Sequence, residues 1–186
     1  GSGGDSLTCV VVLAATDAAN TATAHTITVT ITDTNDESPT DMALSAASAA
    51  ENAAAGTDIG TLSTTDGDAS GNSHVYTLVT DSGGATAYSG TDFAIDSAIL
   101  EVGSSPGFNY ETTTSYTVYV KVADGSNTAY VEAFTISITD VNDQTPTFTG
   151  VDSTPSSAEM ATGAFETYTI VDTDTVGSYS CTVAGA

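Results

Sequence analysis

Three features of the sequence predict an all-β protein built from tandem β-sandwich units. One stretch returns at a fixed offset of 107 residues (Asp33 to Asp140), strand-period alternation runs through the repeated unit, and the composition favours strands. Thr and Ser together number 56 of 186 residues and Trp is absent. Thr, Val, Ile and Tyr suit the pleated surface of a sheet.

The repeat is read from Ile31-Thr-Asp33-Thr-Asn35-Asp36-Glu-Ser-Pro39-Thr40, which recurs as Ile138-Thr-Asp140-Val-Asn142-Asp143-Gln-Thr-Pro146-Thr147. Upstream, Asp17 matches Asp124 and Asn20 matches Asn127 in the same register. Downstream, Gly56 matches Gly163, and Asp66-Gly-Asp68 matches Asp172-Thr-Asp174 one residue short of it. Residues 1–38 therefore read as the back half of a repeat, 39–146 as a whole repeat, and 147–186 as the front half of another. Asp33–Pro39 and Asp140–Pro146 are the linkers, each closed by a proline that removes one ladder donor.

Within 39–146 the first strand is expected near Met42–Leu44. Ala46–Ala55 has no large apolar face for a helix, and its Ser residues, Asn52 and Gly56 predict a loop or bulged strand. Ile59–Leu62, Tyr76–Leu78, Phe93–Ile95 and Ile99–Val102 are short strands between Gly, Ser and Asp clusters, with Gly83-Gly84 as a turn. Tyr116, Val118, Val120 and Val122 alternate with polar positions, as do Phe134, Ile136 and Ile138. Asp124-Gly-Ser-Asn127 between them makes an antiparallel hairpin. About seven strands in one unit is the count of a sandwich.

Charge narrows the function. Lys and Arg number 1 and Asp and Glu 24, a net charge of −23. Nucleic-acid binding and docking to anionic lipid need basic clusters that Lys121 alone cannot supply. No apolar run approaches the roughly 18 residues of a membrane span. Carboxylates without basic partners repel one another unless a cation neutralises them. They gather at strand ends: Asp33, Asn35, Asp36, Asp66, Asp68 and Asp124 at the entering end, and Glu51, Glu111, Asp140, Asn142 and Asp143 at the leaving end. Asp66 and Asp68, two apart on an extended segment, face one point. Carboxylate, amide and backbone oxygens are the mixture that Ca²⁺ accepts at six to eight positions, whereas Mg²⁺ prefers a small octahedral site with retained water. His25 and His74 lie in or beside strands and read as surface histidines. Linker carboxylates offer no substrate cleft, so no enzyme is expected.

The unit 39–146 resembles a cadherin repeat. The resemblance rests on Ala50-Glu51-Asn52, Asp66-x-Asp68-x-x-Gly71-Asn72, Asn109-Tyr110-Glu111, Tyr116-x-Val118-x-Val120-x-Val122-Ala123-Asp124 and Asp140-Val-Asn142-Asp143-x-x-Pro146. It implies a seven-stranded Greek-key sandwich, an extracellular or cell-surface location, and calcium held between successive repeats. It implies that the first linker uses Asp33, Asn35 and Asp36 with Asp66, Asp68, Asn72 and Asp124. The second uses Glu51, Asn109, Glu111, Asp140, Asn142 and Asp143 with Asp172 and Asp174. Asn109 stands where the family has Asp, which costs the second linker one charge; residues 1–16 offer no counterpart of Glu111 and the counterpart of Glu51 lies outside the sequence, so the first linker has fewer ligands. The Trp of the family's strand-exchange dimer is absent.

A sandwich cut in half leaves open sheet edges. The expected resolution is a longer array or a filament, in which 147–186 of one copy packs with 1–38 of the next, bringing Asp172 and Asp174 together with Asp17. Cys9 aligns with Tyr116 and Cys181 with Leu78, on strands that neighbour each other in this fold, so a disulfide between copies is expected. The function expected is that of a calcium-stiffened structural or adhesive repeat. The alternative is a repeat of a microbial adhesin that binds glycans through loops such as Asp81–Thr91.

Overall fold

The computed structural model describes residues 7–19, 24–68, 73–152, 154, 156, 159–160, 162–163 and 167–182. Among them every regular element is a strand: β1 (Leu7–Leu13), β2 (His25–Ile31), β3 (Asp41–Leu44), β4 (Ser48–Ala50), β5 (Asp58–Thr65), β6 (Val75–Val79), β7 (Phe93–Asp96), β8 (Ile99–Val102), β9 (Ser115–Ala123), β10 (Tyr130–Thr139), β11 (Thr147–Thr149) and β12 (Thr169–Val171). No helix among the described residues is long and apolar enough to cross a membrane.

Strands β3 to β10 form a sandwich of two four-stranded sheets, ordered β3-β5-β8-β7 and β4-β10-β9-β6. The alternation in β9 and β10 sets the inner face. Val118, Val120 and Val122 are buried, as are Ile136 and Ile138 on the paired strand, while the residues between them point outward. Leu62, Leu100, Val102 and Met42 close the core from the facing sheet. Phe93, Phe108 and Tyr116 fill its end, with ring centroids 5.2 to 5.9 Å apart in tilted and edge-on contacts.

The structure has eight strands here where the sequence predicts about seven, because the first strand breaks and changes sheets. β3 runs antiparallel to β5, and β4, inside the Ala-rich stretch, runs parallel to β10. The small residues of Ala46–Ala50 allow this crossing to lie close against β5. Gly60 faces it: a Cβ there would stand 2.4 Å from the carbonyl oxygen of Ala46. Across the same crossing Ser45 N–H donates to Thr61 O (3.0 Å), and Thr61 N–H donates to Ser45 Oγ (2.8 Å).

On either side lie two-stranded ribbons. β1 and β2 pair antiparallel from Leu7↔Ile31 to Leu13↔His25, and β11 and β12 pair from Thr147↔Val171 to Thr149↔Thr169. Directly opposed residues share a face, so Leu7, Cys9, Val11 and Leu13 join Ile27, Val29 and Ile31 on one apolar side, and all of these are exposed.

Gly60→Ala is expected to destabilise the sandwich by about 1–3 kcal/mol, the range of an overpacked core, because the new methyl meets backbone rather than a movable side chain. Chemical denaturation checks this, with the shift appearing in the midpoint and not in the slope.

Candidate metal centre

The second linker gathers acids from three places. Glu51 follows β4 and is almost fully buried (1% exposed). Its two oxygens receive Val141 N–H (2.7 Å) and Tyr110 N–H (2.8 Å), so one carboxylate ties the β4 end to the β8–β9 connection and to the linker. Asn52, the next residue, has a left-handed φ of 57° and donates its amide to Asp143. Beyond the linker, Asp174 Oδ2 accepts Gln144 N–H (2.9 Å), Asp172 Oδ1 accepts Asp174 N–H (3.1 Å), and Thr175 donates to Asp140.

Between these anchors lie oxygens that nothing serves. Asn109 Oδ1, both oxygens of Glu111, Asp140 Oδ1 and Asp174 Oδ1 are buried and have no hydrogen-bond donor. One oxygen from each of Glu51, Glu111 and Asp140 lies within 4.8 Å of the others, and the same holds for Glu111, Asp143 and Asp174. Glu111 belongs to both groups. The nearness of its own backbone N–H lowers its pKa without a formed hydrogen bond, yet burial, the charges of Glu51 and Asp143 and the adjoining Asp174 carboxyl outweigh it and hold Glu111 above the usual glutamate value. Asp140 is held below the usual aspartate value, first by the Thr175 hydroxyl and then, against its burial, by backbone N–H donors.

A buried polar atom left unpaired costs about 1–3 kcal/mol, and a charged one more. Five such oxygens at one joint fit a ligand that accepts oxygen and carries positive charge. The donor set is all oxygen, several of its groups carboxylates, with an amide among them. That is the chemistry of a hard cation of calcium's size, and it suits neither thiolate nor imidazole metals.

The first linker repeats the scaffold with different contents. Glu37 N–H donates to Asp68 Oδ2 (2.9 Å), as Gln144 does to Asp174, and Asp68 N–H donates to Asp66 Oδ1 (3.1 Å). Here protein donors occupy the oxygens. Asn127 Nδ2 donates to Asn35 Oδ1 (2.6 Å) and to Asp124 Oδ2 (2.8 Å), and Asn35 Nδ2 lies 3.4 Å from Asp124 O. Asp124 Oδ1 accepts Asn127 N–H and Ser126 N–H. These bonds, those from Asn127 foremost, hold Asp124 below the usual aspartate value. His74 Nε2 sits 3.1 Å from Asp66 Oδ2, so the histidine read as a surface residue is half-buried against a predicted ligand. Asp33 is half-buried and Asp36 exposed. Asn72 lies outside the described residues. Among the described residues no acid grouping like that of the second linker forms at the first.

Of the remaining sequence-predicted residues, Asp17 caps its own turn, accepting Ala19 N–H (2.9 Å). Asn142 is exposed within the second linker and Asp172 is half-buried. Both cysteines are free and exposed. In the central sandwich Leu78, the counterpart of Cys181, pairs with Val120, four residues from Tyr116, the counterpart of Cys9. There, these two counterpart positions stand roughly 13 Å apart along the strands. The loop after Asp81 folds on itself: Gly83 N–H donates to Asp81 Oδ1 (2.8 Å), and Lys121 Nζ, the one lysine, donates to Gly84 O (3.3 Å).

Sequence reasoning passed over Asn127 as a ligand partner and Thr175 altogether. The match of Asn127 to Asn20 across the repeat is the signal that could have found the former; Thr175 carried none.

Neither a protein-family model nor a curated protein matches the sequence. Solved structures do. The chain is similar to the protocadherin gammaB7 EC3-6 cis-dimer (19% identity, TM-score 0.65, 90% of this chain and 43% of that one). It is similar to the human desmocollin-1 ectodomain (22% identity, TM-score 0.60, 89% of this chain and 32% of that one). A third similarity is to protocadherin gamma B2 extracellular cadherin domains 3-6 (20% identity, TM-score 0.53, 90% of this chain and 40% of that one). The chain spans less than half the length of each. Its fold is cadherin-like.

The raised pKa of Glu111 has a stability consequence. The metal-free fold binds the Glu111 proton more tightly than the unfolded chain does, so stability falls as pH rises from the usual value of 4.5 through the raised one. Glu111→Gln should therefore melt above the parent at neutral pH in chelator, and the gap should close below that window. Asp124→Asn should do the reverse, losing stability that the parent keeps until acid pH. Thermal melts across pH in chelator measure both.

Proposed function

We propose that this chain is a calcium-stiffened, extracellular tandem-repeat segment with a structural or adhesive role. In this reading it is the repeating unit of a filament or giant surface protein. The repeat at 39–146 is complete, and neighbouring copies complete the half repeats at 1–38 and 147–186. The five donorless buried oxygens at the second linker carry the reading.

Glu51, Asn109 and Glu111 come from the central sandwich, Asp140, Asn142 and Asp143 from the linker, and Asp172 and Asp174 from beyond it. Calcium would supply the positive charge this set lacks. Residues from three segments would then converge on one point, and a joint that repels itself would become one that holds a fixed angle. Extracellular modules of this ligand type bind calcium in the roughly 0.1–1 mM range, matched to the medium outside cells. The first linker, already closed by Asn35, Asn127 and Asp124, needs less from a cation. The reading is non-catalytic, since the acids span a joint rather than line a cleft.

Calcium should raise the melting temperature, and chelation should reverse it. Asp143→Ala should weaken calcium binding at least tenfold, whereas Asp152→Ala, on an exposed turn where Asp152 accepts Thr154 N–H, should leave it unchanged. Calorimetric titration with calcium alone reads this out. A melt unmoved by chelator, or equal effects from the two substitutions, would contradict the assignment.

A further inference from the structure

We infer that the flank of the central sandwich carries a second binding site, a pocket walled by tyrosines and charged by Asp92 that takes an arginine side chain of a partner protein. The inference goes beyond the calcium reading and needs no metal, because every residue of the pocket belongs to the central sandwich.

The pocket exists because one strand stops short. β9 pairs with β10 from Ser115 onward, but on its other side β6 ends at Val79, opposite Tyr119. Among the described residues, 115–118 have no strand partner on that side, and the chain swings out between Val79 and the start of β7 at Phe93. A cavity of about 200 Å³ opens in the gap, and Tyr88, Asp92, Phe93, Tyr116, Thr117 and Tyr119 line it. Four aromatic rings there meet one carboxylate.

Both walls are fixed before any ligand arrives. On one, Thr80 N–H donates to Thr86 O (3.0 Å) and Tyr88 N–H to Leu78 O (3.0 Å), which folds the segment carrying Tyr88 back onto β6. On the other, Asp92 Oδ1 accepts Gly107 N–H (3.0 Å) and Asp92 O accepts Gly103 N–H (2.8 Å). Thr91 O accepts Ser105 N–H (3.1 Å) beside them. Gly90 lets the walls meet: a Cβ there would stand 2.3 Å from Tyr88 Cζ and from its hydroxyl oxygen, so the ring lies against bare backbone. Phe93 and Tyr116 hold each other edge-on, with centroids 5.9 Å apart. A pocket ordered in advance spends little of its binding energy on ordering itself.

Aromatic rings beside a carboxylate are the chemistry that recognises an organic cation. Burial and then the charge of Asp92 raise the Tyr88 pKa, so the field of the carboxylate reaches the ring and the phenol stays protonated at neutral pH. Guanidinium suits this set best. It is planar and weakly hydrated, and it faces a ring while donating to a carboxylate. The net charge of −23 draws cationic surfaces toward the chain. These 186 residues contain no arginine, and their one lysine, Lys121, donates to Gly84 O. A second copy of them therefore cannot supply the guanidinium, and the pocket recruits a different, basic partner.

NMR titration of the 186-residue chain with Nα-acetyl-arginine methylamide tests the site. The probe should bind in the millimolar range, shift the resonances of Tyr88, Asp92 and Tyr119, and do so equally in calcium and in chelator. The blocked lysine should bind at least threefold more weakly, and methyl glucoside should not bind. A pentapeptide with a central arginine should bind at least as tightly as the blocked amino acid. Asp92→Asn keeps an oxygen for Gly107 N–H, so it should melt as the parent does yet weaken the arginine probe at least fivefold. Gly90→Ala pushes only the movable phenol and should weaken the probe at least threefold, which keeps the test open if Asp92→Asn fails to fold. Asp81→Asn removes the same charge from the neighbouring exposed loop and should leave binding within twofold. Absent shifts, equal losses from Asp92→Asn and Asp81→Asn, lysine bound as tightly as arginine, or glucoside bound at these residues would overturn the site. Exclusion of the peptide would overturn the choice of a protein partner. Because the pocket holds no linker residue, its failure leaves the calcium reading standing, and the chelator melts decide that reading separately.

Discussion

Negative charge without a counterpart is the constraint on which the rest of this structure depends. With 24 carboxylates and one lysine, ion pairs cannot organise the surface, and the fold places its acids where backbone donors or one another are within reach. Backbone N–H groups satisfy some of them: Glu51 takes two, from segments far apart in sequence, and Asp68 and Asp174 each take one from a linker. At the second linker the supply of donors runs out. The central sandwich needs no such help, since the core between its two sheets is apolar.

Much of this was legible in the sequence because the relevant signals are periodic. The alternation in Tyr116–Val122 and Phe134–Ile138 fixes which side of β9 and β10 is buried, and the 107-residue offset locates both linkers. What escaped depends on a third dimension. Ala46–Ala55 carries no period, so the sheet switch at Ser45–Ala47 shows only where β4 meets β10. The burial of Glu51 follows from two amide donors, Tyr110 and Val141, that lie 59 and 90 residues away. The meeting of His74 with Asp66 is likewise a matter of packing rather than of residue type.

The two linkers show that one motif can serve two electrostatic ends. Asp-x-Asn-Asp occurs in both, and the backbone clamp from the fourth position after the first Asp is the same in both. At the first, asparagine amides from the overlying turn fill the oxygens. At the second, acids from the preceding unit crowd in and, among the described residues, no turn lies above. The difference therefore resides in neighbours contributed from distant parts of the chain.

The switch of the first strand between sheets has a mechanical corollary. β4 runs parallel to β10, bonded through Ser48↔Ser137 to Ala50↔Thr139, with Glu51 N–H donating to Thr139 O just beyond. The chain enters the sandwich at β3, which runs on into β4, and leaves it after β10. Tension along the polypeptide would pull β4 and β10 in opposite directions along their shared axis. Their hydrogen bonds would then bear the load together in shear rather than unzip one at a time, so the sandwich is braced along the line on which a stretched array would strain it.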